Sequence, residues 1–147
     1  MSMRSGRSAV MTIGALARRT GVPVKALREY EDAGLIYTVG RSAGNYRLFD
    51  DAALWCVGVI GTLRALGLTL AEIRQLTTIY LGQPDEPIGP HLATLLHAAR
   101  MRTDAQIAEL HRRRQRIEQF QTAHAAQLTG SATDFRAGDP HFQQARA

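Results

Sequence analysis

The sequence of 147 residues has very little cysteine. Cys56 is the single cysteine, which excludes an internal disulfide, a zinc site built on cysteines and a redox pair within one chain. An iron–sulfur cluster is excluded as well, because several cysteines usually hold such clusters. Cys56 lies in an apolar run without a basic neighbour, so we expect a buried, unreactive thiol, with thiol sensing as the alternative.

Long apolar runs are also absent. No stretch approaches the length of a membrane span, and the start of the chain lacks the charged-then-apolar pattern of a signal peptide. We therefore expect a cytoplasmic protein, with the polar residues 1–10 as a flexible leader. The sequence contains no evident nucleophile–base pair, carboxylate pair or phosphate loop, so we expect neither an enzyme nor a bound cofactor.

The charge of the chain is unevenly distributed. The net charge is +5, and residues 1–50 hold eight basic and four acidic side chains, whereas the remaining residues hold ten and nine. The excess is almost all arginine, whose planar guanidinium suits bidentate contacts with phosphate and guanine. This distribution favours a polyanion as the partner of the N-terminal part.

Two short helices are predicted at the start of the folded region. Thr12 is a suitable N-cap for the first and Gly21 a suitable stop, while Pro23 suits the start of the second and Gly34 its end. This pattern is typical of a helix-turn-helix, with the second helix available for a DNA groove. An ordinary αα-hairpin packed into a core is the alternative.

A small β-hairpin is predicted next, over residues 35–49. Strand formers at residues 35–39 precede a turn at residues 40–45, and an extended stretch follows. A hairpin directly after a helix-turn-helix is a wing, and the arginines and tyrosine near its tip suit a phosphate backbone. An ordinary solvated turn is the alternative.

Two further helices are predicted between residue 50 and a proline-rich hinge at residues 83–90. Asp50 or Asp51 caps the first helix and Gly67 stops it, while Thr69 and Glu72 form a capping box for the second. We expect both helices to be mostly core.

A single long helix is predicted over residues 91–128, which contain neither glycine nor proline. Its apolar residues recur at three- and four-residue steps, and nothing later in the chain would cover them. A second copy of the chain is the expected partner, which gives a symmetric dimer; folding back onto the N-terminal domain is the alternative. Residues 129–147 are predicted to be a flexible tail. The predicted dimerisation residues are Leu92, Leu96, Ala99, Ile107, Leu110, Ile117 and Leu128.

The order of these parts resembles the MerR family of bacterial transcription regulators. The segments "TIGALARRTGVPVKALREYEDAGLI", "GNYRLF" and "LRALGLTLAEIRQL", followed by one long helix, carry the resemblance. It implies a mainly α fold, with a winged helix-turn-helix domain over residues 11–82 and a long dimerisation helix in an antiparallel coiled coil. The family usually reads "LRYYE" where this chain has "LREYE", so Glu29 replaces an aromatic residue.

The resemblance also implies how DNA is bound. Lys25 is the candidate for base contact. The other basic and tyrosine side chains of the second helix and the wing would contact the DNA backbone, and Arg64 falls where the family's second wing touches that backbone. The family binds pseudo-palindromic promoter elements and activates by distorting the DNA, which fits an interface rich in phosphate contacts. The implied partners are promoter DNA, a second copy of the chain and RNA polymerase. The predicted DNA-binding residues are Lys25, Arg28, Tyr30, Arg41, Asn45, Tyr46, Arg47 and Arg64.

The effector is not identified by the sequence. Metal-sensing relatives carry cysteines around the dimerisation helix, and this chain has none there, so thiolate capture of a metal is not expected. His91 and His124 are too far apart on one helix to share an ion, although a site across a dimer is an alternative. A small apolar ligand near the hinge remains open, as does an architectural DNA binder without an effector.

Overall fold

The structure is a computed structural model that describes residues 9–143. The predicted leader therefore lies mostly outside the described residues, as do the last four residues of the predicted tail. The chain divides into two compact units, one up to Met101 and one from Arg102. The first unit contains β1 (Met11–Thr12), α1 (Ile13–Thr20), α2 (Val24–Asp32), β2 (Gly40–Arg41), β3 (Arg47–Phe49), α3 (Asp51–Ala65), α4 (Leu70–Gly82) and the start of α5 (Gly89–Ala123). The rest of α5, α6 (Ala125–Leu128), a 3₁₀ helix (Phe135–Gly138) and α7 (Pro140–Gln143) belong to the second.

The predicted helix caps are confirmed. The Thr12 hydroxyl accepts a hydrogen bond from the Ala15 amide at 3.2 Å, and the Asp50 carboxylate accepts one from the Ala53 amide at 3.1 Å. Thr69 and Glu72 form the reciprocal capping box, at 2.9 and 3.1 Å. Such side chains satisfy amides that the first helical turn leaves without partners, which is why they mark the helix starts so reliably.

A single hydrophobic core holds the first unit together. It takes one face from each of α1 to α4, together with the β3 residue Phe49 and the loop residues Leu35 and Ile36. Apolar residues at three- and four-residue steps along the helices supply these faces. The largest fully buried side chains are Phe49, Leu16, Leu27, Ile36, Leu68 and Val57.

The first turns of α5 pack against the same core, and they include three of the predicted dimerisation residues, whose contact with a second copy stays a prediction. Ala99 is 3% exposed, and Leu92 and Leu96 are half-buried against the core together with Ile88 and Leu95. The N-terminal end of the apolar stripe is therefore covered within one chain. This is the fold-back alternative, realised for the first part of the helix only.

A small antiparallel sheet has the order β1-β3-β2. β3 pairs with β2 through Arg41 and Arg47, and with β1 through Met11 with Phe49 and Thr12 with Leu48. The hairpin was predicted, but its first strand was misplaced. Residues 35–39 form no strand, because Leu35 and Ile36 turn into the core, and Gly40–Arg41 pairs instead. We refer to residues 40–49 as the hairpin.

The second unit differs from the prediction at its end. The long helix was predicted to continue to residue 128, yet α5 ends at Ala123 and the backbone breaks at His124, with φ of −120° and ψ of 24°. A turn at Gly130, with φ of 77°, then reverses the direction of the chain. The Phe135 ring consequently stacks on Phe120, with 6.0 Å between the ring centroids. Within the predicted tail, Phe135–Gly138 and Pro140–Gln143 form short helical elements, and the flexibility of the tail stays a prediction.

No helix in the described part of the chain is both long and apolar enough to cross a membrane.

Candidate nucleic-acid interface

The helix α2 separates a buried face from an exposed face. Leu27 and Tyr30 point into the core, whereas Lys25, Arg28 and Glu29 are exposed. The helical repeat of 3.6 residues produces this division, because residues three apart share a face. Asp32, the last residue of α2, is exposed as well, so the outer face of α2 presents two basic and two acidic side chains to solvent.

Tyr30 differs from the other predicted DNA-binding residues of α2, because it is 7% exposed and belongs to the core. Its ring packs, and its predicted contact with a phosphate stays a prediction. Glu29, which replaces the aromatic residue usual in the family pattern, is exposed and contributes negative charge beside Arg28.

The turn of the hairpin is held by its own polar groups. The Ser42 amide donates to the Tyr46 carbonyl at 2.8 Å, and the Tyr46 amide donates to the Ser42 hydroxyl at 3.1 Å. Asn45 has φ of 66°, a left-handed conformation that asparagine adopts more readily than most residues. Arg41 Nη1 donates to the backbone carbonyl and to the side-chain oxygen of Asn45, both at 3.3 Å. The predicted residue Asn45 thus shapes the turn and holds Arg41.

Tyr46 is the most exposed aromatic side chain of the hairpin, at 67%. Its ring lies over Gly44, where an added Cβ would approach Cε2 within 3.1 Å. The ring is therefore presented to solvent from a turn that leaves little room for a side chain at residue 44. An exposed phenol is a neutral hydrogen-bond donor of the kind that contacts phosphates.

A cleft of about 430 Å³ separates α2 from the hairpin. Three arginines line it, Arg28 from α2 and Arg41 and Arg47 from the hairpin, together with two carboxylates, Glu31 and Asp32. Arg28, Glu31 and Asp32 share this side of α2 because they are three and four residues apart. The arginines were predicted from the sequence, whereas both carboxylates were missed; their signal was the spacing of three and four residues from Arg28.

An ion pair joins α2 to the hairpin at this cleft. Arg47 Nη1 contacts Glu31 Oε1, and the side chains are 54% and 16% exposed respectively. The second carboxylate oxygen of Glu31, Oε2, is buried without a hydrogen-bond partner in the described part of the chain. This acidic partner of Arg47 was not predicted, because the two residues are too far apart in sequence for a local pattern to reveal the pair.

The remaining predicted DNA contact, Arg64, lies near the end of α3. It is exposed, and its Nη1 donates to the Leu68 carbonyl at 3.1 Å. This bond ties the guanidinium to the α3–α4 turn and fixes where it is presented. A contact of Arg64 with DNA stays a prediction.

Cys56 is half-buried on α3. Burial raises the pKa of its thiol above the ordinary value, and the negative charge of Asp50 raises this pKa further. The thiolate is the reactive form, so a raised pKa leaves the side chain protonated and slow to react near neutral pH.

Two histidines, one at each end of α5, have local partners. His91 Nε2 lies 2.8 Å from Glu86 Oε1, and His124 Nδ1 lies 2.6 Å from Gln127 Oε1. Within residues 9–143, no three side chains of the metal-binding types come together in a way that could hold an ion.

The fold and the arginine-lined cleft define a class of protein: a winged helix-turn-helix DNA-binding domain that continues into a long helix. Family models agree with this class. The model described as MerR HTH family regulatory protein matches residues 11–78, and the one described as MerR, DNA binding matches residues 56–120. The chain belongs to the MerR family, which confirms the resemblance seen in the sequence.

Individual relatives are consistent with this assignment. The HTH-type transcriptional activator SoxR homolog of Chromobacterium violaceum is 46% identical over 63 residues, which cover 43% of this chain and 42% of that protein. This chain spans well under two thirds of the length of that relative and of others with comparable identity.

Solved structures extend the likeness to most of the chain. A MerR-family transcriptional regulator from Bacillus cereus is similar with a TM-score of 0.61 at 20% identity, covering 94% of this chain and 97% of the other. HiNmlR, a MerR family regulator lacking the sensor domain and bound to promoter DNA, is similar with a TM-score of 0.54 at 24% identity, covering 84% and 97%. At these identities the likeness shows the fold alone.

Proposed function

We propose that this regulator binds a pseudo-palindromic promoter element as a homodimer and acts in the cytoplasm by distorting the DNA. The observation that carries the proposal is the arginine-lined cleft between α2 and the hairpin. Three guanidinium groups converge there on an exposed surface, and arginine is suited to bidentate contacts with phosphate. HiNmlR, whose fold is similar, is bound to promoter DNA in its solved structure.

The two structural parts have different roles in this proposal. Lys25, exposed on the outer face of α2, contacts a base edge in the major groove. Arg28 contacts the adjacent phosphate, and the hairpin residues Arg41, Tyr46 and Arg47 clamp the backbone beside it. Phosphate contacts set the position of the protein, and base contacts set the sequence that it prefers. We expect Tyr30, Asn45 and Arg64 to support the same backbone contacts.

The proposed dimer interface includes the apolar stripe on the part of α5 that follows Met101. Ile107, Leu110 and Ile117 are between 48% and 57% exposed, and they follow steps of three and seven residues. An apolar stripe of this kind is typical of helices that pair with another helix, and a second copy is the simplest partner. Leu128, 50% exposed, lies beyond the break at His124 and is a weaker candidate for this interface.

The regulatory part of the proposal concerns the promoter. Arrangements rich in phosphate contacts read DNA partly through its deformability, which suits a protein that bends or untwists a promoter for RNA polymerase. We propose a small-molecule effector rather than a metal or an oxidant. The burial of Cys56, which raises the pKa of its thiol and makes it slow to react, supports the choice against an oxidant.

The interface is tested by comparing two substitutions. Arg47→Ala should weaken binding to cognate and unrelated DNA by similar factors, and should reduce the slope of log affinity against log salt by about 0.9, the value for one phosphate contact. Lys25→Ala should instead lose about 1–3 kcal/mol mainly on the cognate site, because a base contact discriminates among sequences.

The matched control is Arg74→Ala. Arg74 is exposed on α4 and does not line the cleft, so its removal takes away the same charge without a proposed contact. Circular dichroism should show that all three variants fold. An Arg47→Ala protein with the affinity and slope of Arg74→Ala would mean that the hairpin is a surface turn and not a wing.

A further inference from the structure

Glu31 is an unusual residue to find in the arginine-lined cleft. It shares the side of α2 that carries Arg28, and in the proposed complex this side faces the phosphate backbone. A carboxylate near phosphates is repelled by them, so Glu31 should weaken DNA binding unless it also favours binding through another residue. Asp32 lines the same cleft, is exposed, and has no ion pair among the described residues. The two acids therefore differ in their surroundings although their charges are equal.

The side chain of Glu31 is mostly buried. Its side chain is 16% exposed, against 54% for Arg47, and Oε2 is buried without a partner in the described part of the chain. Its other oxygen, Oε1, accepts the hydrogen bond from Arg47 Nη1. Within residues 9–143 this is the side-chain bond that joins α2 to the hairpin. Arg47 uses one of its five donors for it, which leaves the others for a ligand.

We propose that Glu31 is a positioning residue that acts on DNA through Arg47. By holding one side of the guanidinium against α2, it fixes the hairpin relative to this helix and orders Arg47 before DNA arrives. An arginine ordered in advance loses less conformational freedom when it binds, which increases affinity without a further contact. This inference rests on the proposed contact between Arg47 and a phosphate.

The sign of the change in affinity separates this role from simple repulsion. If Glu31 only repels phosphates, Glu31→Gln should bind DNA more tightly. If it positions Arg47, Glu31→Gln should bind about 2- to 10-fold more weakly, which corresponds to the cost of ordering one long side chain during binding. Asp32→Asn removes the same charge from the same cleft without breaking an ion pair, so it should bind at least as tightly as the original protein.

The experiment is a salt titration of DNA affinity for the full chain and its variants, with thermal unfolding followed by circular dichroism. Glu31→Gln should reduce the salt slope toward that of Arg47→Ala. Adding Glu31→Gln to Arg47→Ala should cause little further loss of affinity, because Glu31 acts through the residue that is already gone. Glu31→Asp retains the charge but shortens the side chain, and should also bind more weakly; it serves as the second variant if Glu31→Gln unfolds.

Three results would overturn the inference. The first is that Glu31→Gln binds DNA more tightly than the original protein, as Asp32→Asn should. The second is that Glu31→Asp binds with the original affinity, and the third is that the affinity losses of Glu31→Gln and Arg47→Ala multiply in the double variant. A different result would identify a failure of the proposed wing contact. In that case Arg47→Ala itself would bind DNA with unchanged affinity and slope.

Discussion

Replacing Leu110 with Asp should break the proposed dimer while leaving each chain folded. Leu110 is 57% exposed in the single chain, so the substitution removes little that the chain itself needs. Full burial of a leucine contributes about 1.5–3 kcal/mol, so burying the 57% that is exposed should contribute about 0.9–1.7 kcal/mol per copy, or about 2–3 kcal/mol for the two copies. Loss of this burial alone corresponds to a dissociation constant raised about 30- to 150-fold.

The carboxylates add to this loss. Two of them would lie in an apolar interface without partners, and an unpaired buried charge costs several kcal/mol more. Sedimentation velocity at micromolar concentrations should therefore show a dimer for the original chain and a monomer for Leu110→Asp. Affinity for a two-half-site operator should fall with it, because each half-site would then be bound independently.

The control is Ala108→Asp, two residues earlier on the same helix. Ala108 is exposed and lies about 200° around the helix from Leu110, so the control introduces the same charge on the far side. It should remain a dimer. The reasoning is refuted if the original chain sediments as a monomer at these concentrations, or if both variants dimerise equally well.

Two smaller predictions concern α3 and α4. Cys56→Ser should leave DNA binding and induction intact. Because burial raises the pKa of the Cys56 thiol in the folded chain, iodoacetamide should still alkylate it slowly at the ordinary thiol pKa, where the thiol of the urea-unfolded chain already reacts readily. A variant that binds DNA but has lost a response to oxidants or aldehydes would reveal a thiol sensor. Thr69→Ala should lower the free energy of unfolding by about 1 kcal/mol in urea, because it removes half of the capping box. Thr78→Ala, whose hydroxyl bonds only the Arg74 carbonyl in its own helix, should change it much less, and equal losses would contradict the capping argument.

Local features of the fold could be predicted from the sequence because their causes are local. Thr12, Asp50 and Thr69 cap helices through amides three residues away, so residue type and spacing were enough to locate each helix start. The end of α5 shows the limit of this approach. Residues 91–128 contain no glycine or proline, and the break at His124 coincides with packing among the Phe120, His124 and Phe135 rings.

Contacts between distant residues could not be predicted in this way. The strand β1 has two residues, too few for an alternating pattern, and its pairing with β3 joins two distant parts of the chain. Ala99 fits the spacing of a dimer stripe, but the spacing does not show which surface covers it. The same difference applies to the candidate site. Its arginines could be predicted from composition and motif, whereas the pairing of Glu31 with Arg47 could be seen only in the folded chain.

The position of β1 has a practical consequence for protein engineering. Thr12 pairs with Leu48 in the central strand of the sheet, and its hydroxyl also caps α1. The chain therefore enters the first helix directly alongside the hairpin, and Val10, just ahead of it, is exposed. A bulky tag or reporter joined rigidly in front of Met11 would press on the β1–β3 pairing and obstruct the adjacent cleft. A long flexible linker at this point would keep a labelled protein suitable for DNA-binding assays.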